Sequence, residues 1–324
     1  MAVLVTGATG VVGINVLEEL LSKGHEVVSL SATPLPPAAA RALAVLPGRL
    51  HLHGGDTAVR ASWDAVASQH AIDRVIHAAA ITPNDAREQR DFRRIVEVNF
   101  MGTIHALEAA RDWGVRRFVY CSSGAVYGDN SYPQGELAET VCPSPQTLYA
   151  VMKQAGEGAV ARFGQLNQLD VVVARIGAVF GRWEHDTGLR DMLSAPMQTA
   201  AIAEAGGVAV LPRRGDRDWI YGPDVAQALV GLLTQPELQW PVYNVGPGAS
   251  WSVVDWCEML KQRFPGFRYQ IADETAPANV DFHSRRDRSQ MSIARLRDDI
   301  GFEARYGLAR AFNDYLSWRA NAQS

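Results

Sequence analysis

Cysteine is scarce in this chain: Cys121, Cys142 and Cys257 are spread over 324 residues. An odd, widely spaced set excludes a disulfide framework, shows no zinc-ligand spacing and fits a reducing compartment. Long apolar runs are missing too. No stretch reaches the roughly 18 consecutive apolar residues that a transmembrane helix needs, so no membrane span is expected. Neither sign of charge dominates, since 31 Lys and Arg stand against 35 Asp and Glu. The net charge of −4 offers nucleic acid no electrostatic footprint. The first strand begins by Val3, which leaves no room for a leader peptide, and a cytoplasmic protein is expected. His51 and His53 share one strand face, but no third ligand lies near them in sequence. No metal is expected.

What is present is a strand–helix alternation. Apolar runs at 2–5, 26–30, 49–53, 74–77 and 117–121 read as buried strands. Helical spacing predicts helices at 13–23, 38–46, 61–68 and 92–113, then at 149–167 ahead of a strand at 170–175. Such alternation predicts an α/β fold, a doubly wound parallel sheet of the Rossmann type, with ligands at the carboxyl ends of the strands. Residues 182–207 lose the alternation; it returns in a helix at 224–234 and a strand at 242–245. Helices follow at 253–264, 292–299 and 308–319. The expected organisation is a cofactor-binding domain over 1–176, with 215–247 returning to it. Residues 177–214 and 248–324 form a smaller C-terminal substrate lobe.

The first strand runs into Gly7-Ala8-Thr9-Gly10-Val11-Val12-Gly13. Gly7 permits the tight turn, Gly10 lets backbone approach a pyrophosphate, and Gly13 lets the helix pack close to the sheet. The helix start at Val11 and Val12 offers free N–H groups to phosphate. Ser31 stands where NAD-binding turns usually carry an acid on the ribose diol. Its hydroxyl suits either a ribose hydroxyl or a 2′-phosphate; the alternative is a plain loop residue. Asp56 follows the third strand, either as an acceptor for an adenine amino group or as the N-cap of the next helix.

Far downstream, Tyr149 and Lys153 are four apart on a predicted helix and share a face. An ammonium and an oxidised nicotinamide both favour phenolate, lowering the tyrosine towards working pH, so Tyr149 can take a proton from a substrate hydroxyl as hydride leaves. Lys153 can also bond the nicotinamide ribose. Between glycine turn and helix lies Ser122-Ser123-Gly124-Ala125-Val126-Tyr127-Gly128, where Ser123 can hold the substrate oxygen.

These segments, together with His77-Ala78-Ala79-Ala80, Val98-Asn99-Phe100-Met101-Gly102-Thr103, Arg217-Asp218-Trp219-Ile220-Tyr221 and Asp298-Asp299-Ile300-Gly301-Phe302, resemble the extended short-chain dehydrogenase/reductases, and within them the NAD-dependent epimerase/dehydratase group. The resemblance implies Ser123, Tyr149 and Lys153 as the catalytic set. It implies Gly7, Gly10, Val11, Val12, Gly13, Ser31, Asp56, Ala78, Ala79, Ala80, Asn99 and Lys153 around NAD, with NADP a possible substitute. Arg217 matches an arginine for a substrate phosphate. It also implies a homodimer through the helices near 100–113 and 149–167, by way of Met101, Ile104, Leu107, Val151, Ala155, Val160 and Phe163.

Three departures stand out. Gly124 and Ala125 replace the Asp-Glu of sugar-nucleotide dehydratases, which argues against dehydration. Ala178 replaces an Asn that reaches a sugar diphosphate, and Ser31 replaces the ribose acid. The charged stretch 182–191 opens the substrate lobe. Arg182 in it, with Arg190, Arg213, Arg214, Arg285, Arg286 and Arg288, suits an anionic or polyhydroxylated substrate; the alternative is a solvated loop. The leading expectation is an NAD(P)-dependent dehydrogenase of a sugar or sugar acid. A nucleotide-sugar epimerase with a transient ketone is the alternative, and a non-catalytic cofactor-binding regulator a third.

With serine at position 31 and no adjacent arginine, NAD is expected to be preferred over NADP only modestly. Titration with both oxidised cofactors tests this. A preference beyond about a thousandfold, roughly 4 kcal/mol, would place the discrimination in another residue.

Overall fold

The computed structural model describes residues 2–132, 135–284 and 286–322. The strands are β1 (Ala2–Thr6), β2 (Glu26–Ser31), β3 (Arg49–Gly54), β4 (Ile72–His77), β5 (Arg117–Ser123), β6 (Val171–Ile176), β7 (Ala178–Phe180), β8 (Val208–Leu211), β9 (Asp216–Arg217), β10 (Trp219–Tyr221), β11 (Val242–Val245), β12 (Trp251–Ser252) and β13 (Arg268–Ile271). The helices are α1 (Val11–Ser22), α2 (Pro37–Ala44), α3 (Arg60–Ala67), α4 (Asp85–Val96), α5 (Gly102–Asp112), α6 (Leu148–Asn167), α7 (Ala195–Glu204), α8 (Gly222–Thr234), α9 (Val253–Arg263), α10 (Ala294–Ile300) and α11 (Leu308–Ala322).

Seven strands form one parallel sheet in the order β11-β6-β5-β4-β1-β2-β3. The chain winds outward from β1 to one edge, then from β4 to the other. The switch point lies between β1 and β4, where an open α/β sheet leaves a crevice. Val-rich β1, β2 and β5 are buried on both faces, as helices on both sides require. β3 corrects the expectation of a buried strand. It is an edge strand, half-exposed along its length, with Leu52 57% exposed.

Three short two-stranded sheets lie outside the main one: β10 with β7, β12 with β9, and β13 with β8. Their aromatic core includes Phe180, Trp219, Trp256 and Phe312. We propose the division into a cofactor unit and a substrate lobe, with the return to the main sheet at Gly222, because β9 and β10 pair outside it.

The predicted helix at 92–113 proves to be two. α4 starts earlier, at Asp85, where the Asn84 side chain accepts from the Arg87 N–H. A π-turn at Glu97–Met101 then separates α4 from α5. Asn99, inside that turn, is buried; its amide accepts from the Ile81 N–H at 2.7 Å and donates to the Ile81 carbonyl at 2.8 Å.

A hydrogen-bond chain connects this turn to the sheet. The Ala79 N–H donates to Thr6 Oγ1, and that hydroxyl lies 2.8 Å from His77 Nδ1. On the other side His77 Nε2 lies 3.2 Å from Thr103 Oγ1, which donates to the Asn99 carbonyl. The two hydroxyl directions assign His77 as the neutral tautomer with its proton on Nε2. Burial first, then the charge of Lys153, pushes its imidazole down to about 3.

The folded value therefore lies below the unfolded one. As pH falls through about 6.5 the unfolded chain binds the proton first, and stability is lost on the way towards the folded value. Denaturant unfolding from about pH 6 to pH 4 should show a steeper loss in the native chain than in His77→Gln. The difference should reach up to about 1.4 kcal/mol per pH unit, one proton's worth. Equal slopes would refute the neutral, enclosed histidine.

Candidate active site

A cleft of about 1250 Å³ runs across the switch point, lined from Gly7–Gly13 and Ser31 at one end to Arg217 and Arg288 at the other. Its floor is set by crowding. Gly7 has φ +64°, and a Cβ there would lie 2.7 Å from the Ala79 backbone. A Cβ on Gly13 would lie 2.3 Å from the Gly7 carbonyl. No side chain caps α1 at Gly10, and Gly10, Val11 and Val12 line the cleft beside the helix start. Ala78, Ala79 and Ala80 form the opposite lip.

Ser31 is buried, lines the cleft, and its hydroxyl has no partner among the described residues. A buried, unpaired hydroxyl at the end of β2 fits a ribose hydroxyl, since leaving it unmet is costly. Asp56 also lines the cleft, but its carboxylate is engaged: one oxygen accepts from the Ala58 N–H and the other from Arg94. It does not cap α3, whose N-cap is Val59. Asn99 is not among the cleft-lining residues; its amide is spent on Ile81, and it acts by holding the 78–81 turn.

Across the cleft, Ser123 ends β5. Its hydroxyl accepts from the Ala125 N–H at 3.1 Å, which fixes the serine at the start of a short 3₁₀ turn. Tyr149 sits in the first turn of α6, whose N-cap Thr147 accepts from the Ala150 N–H. Tyr149 and Ser123 both line the cleft, and the Ser123 hydroxyl is close enough to favour the phenolate. Lys153 is buried and donates to the Cys121 carbonyl at 2.7 Å, with its ammonium 5.8 Å from the Tyr149 ring centre. The three residues thus converge.

Their ionisation differs from the sequence expectation. Burial holds the Tyr149 phenol above its ordinary value, against the lowering from the Ser123 bond and from Arg190. Burial also pulls the Lys153 ammonium down to about 8. Enclosure outweighs the lysine's pull on the phenol, because the ammonium is turned to the Cys121 carbonyl.

The arginines separate sharply. Arg182 was expected at the substrate; it is instead a tie to Asp314 across 132 positions and does not line the cleft. Arg213 pairs with Asp287 and Arg214 with Asp255, also away from the cleft. Arg285 lies outside the described residues. Arg94, Arg190, Arg217, Arg286 and Arg288 do line the cleft. Arg94 pairs with Asp56, Arg190 with Glu184 and Arg288 with Asp218. Arg286 lies over the Tyr132 ring at the exposed rim. Arg217 has no carboxylate within ion-pair distance among the described residues. Its contacts are Ser284 Oγ at 3.0 Å and the Phe282 carbonyl at 3.5 Å. Burial, then the neighbouring Arg288 charge, pushes it down to about 10. Arg288 itself lies against the turn that follows β5: a Cβ on Gly124 would sit 1.9 Å from its Nη1.

The histidine reading needs one correction. His70 supplies a third imidazole, 2.9 Å from His53, while His51 bonds Glu26. Even so, no group of three or more His, Cys, Asp or Glu among the described residues is arranged to hold a metal ion. Nor is any described helix long and apolar enough to cross a membrane.

The description "NAD dependent epimerase/dehydratase family" matches residues 3–246. The chain belongs to that family. The UDP-glucose 4-epimerase of Haemophilus influenzae is 25% identical over 341 residues, covering 99% of this chain and 98% of its own. Two solved structures share the fold over nearly the whole chain. MoeE5 in complex with UDP-glucose and NAD has a TM-score of 0.80 at 25% identity and covers 100% of both chains. The Thermus thermophilus UDP-glucose 4-epimerase complex with NAD has a TM-score of 0.80 at 26% identity, over 98% of this chain and 99% of that one. This member of the family is an NAD-dependent enzyme of the extended short-chain type, so the regulator reading is set aside. Sequence reasoning missed Arg94, Glu184 and the Thr6–His77–Thr103 chain. Arg94 and the histidine chain depend on partners distant in sequence, whereas Glu184 meets Arg190 and Ser194 within its own loop.

Proposed function

We propose that this enzyme is a nucleotide-sugar epimerase that passes through a transient ketone, with NAD retained. The sequence alone favoured a sugar or sugar acid without a nucleotide, on the strength of Ala178. The observation that carries the revised reading is Arg217: an enclosed guanidinium in the cleft wall with no carboxylate at ion-pair distance among the described residues, next to Arg288. Such a cation calls for an anion, and a diphosphate supplies one. The names of the relatives, UDP-glucose 4-epimerase among them, support the same choice.

When bound, NAD supplies the hydride acceptor and donor and, in its oxidised form, a positive charge beside the phenol. Gly7, Gly10, Val11, Val12 and Gly13 would hold its pyrophosphate, Ser31 a ribose hydroxyl, and Lys153 the nicotinamide ribose. Asp56 would stand near the adenine, and Ala78, Ala79 and Ala80 would form the facing wall. Arg182 and Asn99 are left out of the contacting set. Tyr149 takes the proton from the substrate hydroxyl and later returns it, while Ser123 holds the same oxygen. Gly124 and Ala125 carry no proton, so loss of water is not part of the reading. Arg217 anchors the diphosphate while the ketone turns over.

Purified enzyme with NAD and UDP-glucose tests this, with separation of the sugar nucleotides and absorbance of reduced nicotinamide both followed. An epimerised UDP-sugar without accumulating reduced cofactor is expected; stoichiometric reduced cofactor would mean a dehydrogenase instead. Tyr149→Phe should lower turnover by roughly 10²–10⁴-fold while NAD still binds. Arg217→Ala should weaken UDP binding by about 10–100-fold, the loss of a charged hydrogen bond. No turnover, with no thermal stabilisation by UDP, would overturn the nucleotide reading.

We also propose a homodimer. Phe92 on α4, Met101 in the π-turn and Val151 and Ala155 on α6 are exposed apolar residues. Leu107 and Val160, expected at the same face, pack into the core beneath it. Sedimentation at micromolar concentration should show a dimer, and Val151→Arg should shift it towards monomer. A native chain that sediments only as monomer would exclude the proposal.

A further inference from the structure

The helix that carries Tyr149 and Lys153 has a third polar residue at the same four-residue step, Glu157, and it is buried. Arg175 on β6 donates to its carboxylate through Nε at 3.0 Å and Nη2 at 2.7 Å. Ser122 on β5 donates to it at 2.5 Å. Ser122 is the neighbour of Ser123, so one carboxylate spans the helix, the β5 strand end and β6. A second close approach adds to this: a Cβ on Gly156 would lie 2.2 Å from the Tyr120 hydroxyl.

We propose that Glu157 is a positioning residue: by gripping Ser122 and Arg175 it sets the helix face bearing Tyr149 and Lys153 against the strand end bearing Ser123, and keeps a negative charge one turn from Lys153. The inference rests on the reading of those three residues as the proton-handling set.

The groups around the lysine are few. His77 faces it from β4, Tyr120 and Cys121 from β5, and Tyr149 and Glu157 from α6. His77 and Cys121 are held neutral by burial. Tyr120 and Tyr149 are held up by it. Glu157 is then the anion that favours the charged lysine. Arg175 sits on its far side, over the Tyr127 ring and bonded to the Glu139 carbonyl. Removing either member of the pair should move the lysine in opposite directions: losing the anion lowers its titration, losing the arginine raises it.

The experiment uses the full chain with three substitutions, Glu157→Gln, Arg175→Gln and Ser122→Ala. NAD binding is followed by tryptophan fluorescence across about pH 6.5 to 9.5. This needs no sugar substrate, so it stands apart from any failure of the epimerase reading. The pH midpoint in affinity should fall by about half a unit or more in Glu157→Gln and rise in Arg175→Gln. Ser122→Ala retains the ion pair, so its midpoint should stay put. Its kcat with UDP-glucose should fall about tenfold, with KM changed less than about twofold, because the cut lies between strand end and helix. A purely structural carboxylate would lower Tm but leave both midpoints and the Ser122→Ala kcat unmoved; that result overturns the proposal. If the charge variants do not fold, Ser122→Ala decides alone: kcat at the native level refutes the positioning role, and a selective fall in kcat supports it. Should UDP-glucose not be a substrate, the two midpoints decide.

Discussion

Two turns at the ends of β1 and β4 come so close that backbone meets backbone, and the cleft takes its shape from that contact. Position 7 admits no Cβ because Ala79 is there, and position 13 admits none because the Gly7 carbonyl is there. The first restriction joins two strands at the switch point; the second brings α1 down onto its own turn. The other lip must then be held just as firmly, and polar groups do this. Ala79 is tied to Thr6, Thr6 to His77, His77 to Thr103, and Ile81 to Asn99. A neutral histidine suits the place, since it gives and takes one hydrogen bond without a buried charge.

Charge is handled differently around the rest of the cleft. A guanidinium removed from water costs several kcal/mol unless it is paired, and most arginines here are paired with carboxylates distant in the chain. Arg182 meets Asp314, Arg288 meets Asp218, and Arg175 meets Glu157. Arg217 departs from the pattern: among the described residues it meets no carboxylate at ion-pair distance, but a hydroxyl, a long contact to a carbonyl and the face of Trp219. On the proposed reading an arriving anion would offset that cost, which would set this arginine apart from the structural ion pairs.

The sheet strands were legible because apolar runs bounded by turns have few other readings. The strand at 242–245 and the helix at 308–319 were placed within a few residues. α7 escaped because its Ala-rich sequence is buried on several sides and carries no amphipathic stripe. The first turns of α4 escaped for the opposite reason: Asp85 to Asp91 is nearly all charged, and an Asn84 cap and tertiary ties hold it. Among candidate site residues, the positions fixed by local geometry were readable: the glycine turn after β1, Ser123 at the end of β5, Tyr149 and Lys153 one turn apart on α6. Arg182 was misread because a lone arginine in a charged loop does not declare a partner 132 positions away. Asn99 matched a structural asparagine near the site, and its bonds to the Ile81 backbone are of that kind, although it does not line the cleft.

The phenol shows why local spacing is not the whole of the chemistry. Spacing puts an ammonium one turn from Tyr149 and suggests that it acidifies the hydroxyl. The fold spends that ammonium on the Cys121 carbonyl, and burial then dominates. The protein groups by themselves therefore keep Tyr149 protonated at neutral pH. A proton leaves readily only when a further positive charge stands beside the ring. On the proposed reading, bound NAD in its oxidised form would supply such a charge. On that reading Tyr149 would give up its proton with the oxidised cofactor bound and hold it otherwise. Ser123 and Lys153 need only hold the geometry, and the buried tie from Glu157 to Ser122 keeps the two halves of that geometry in register.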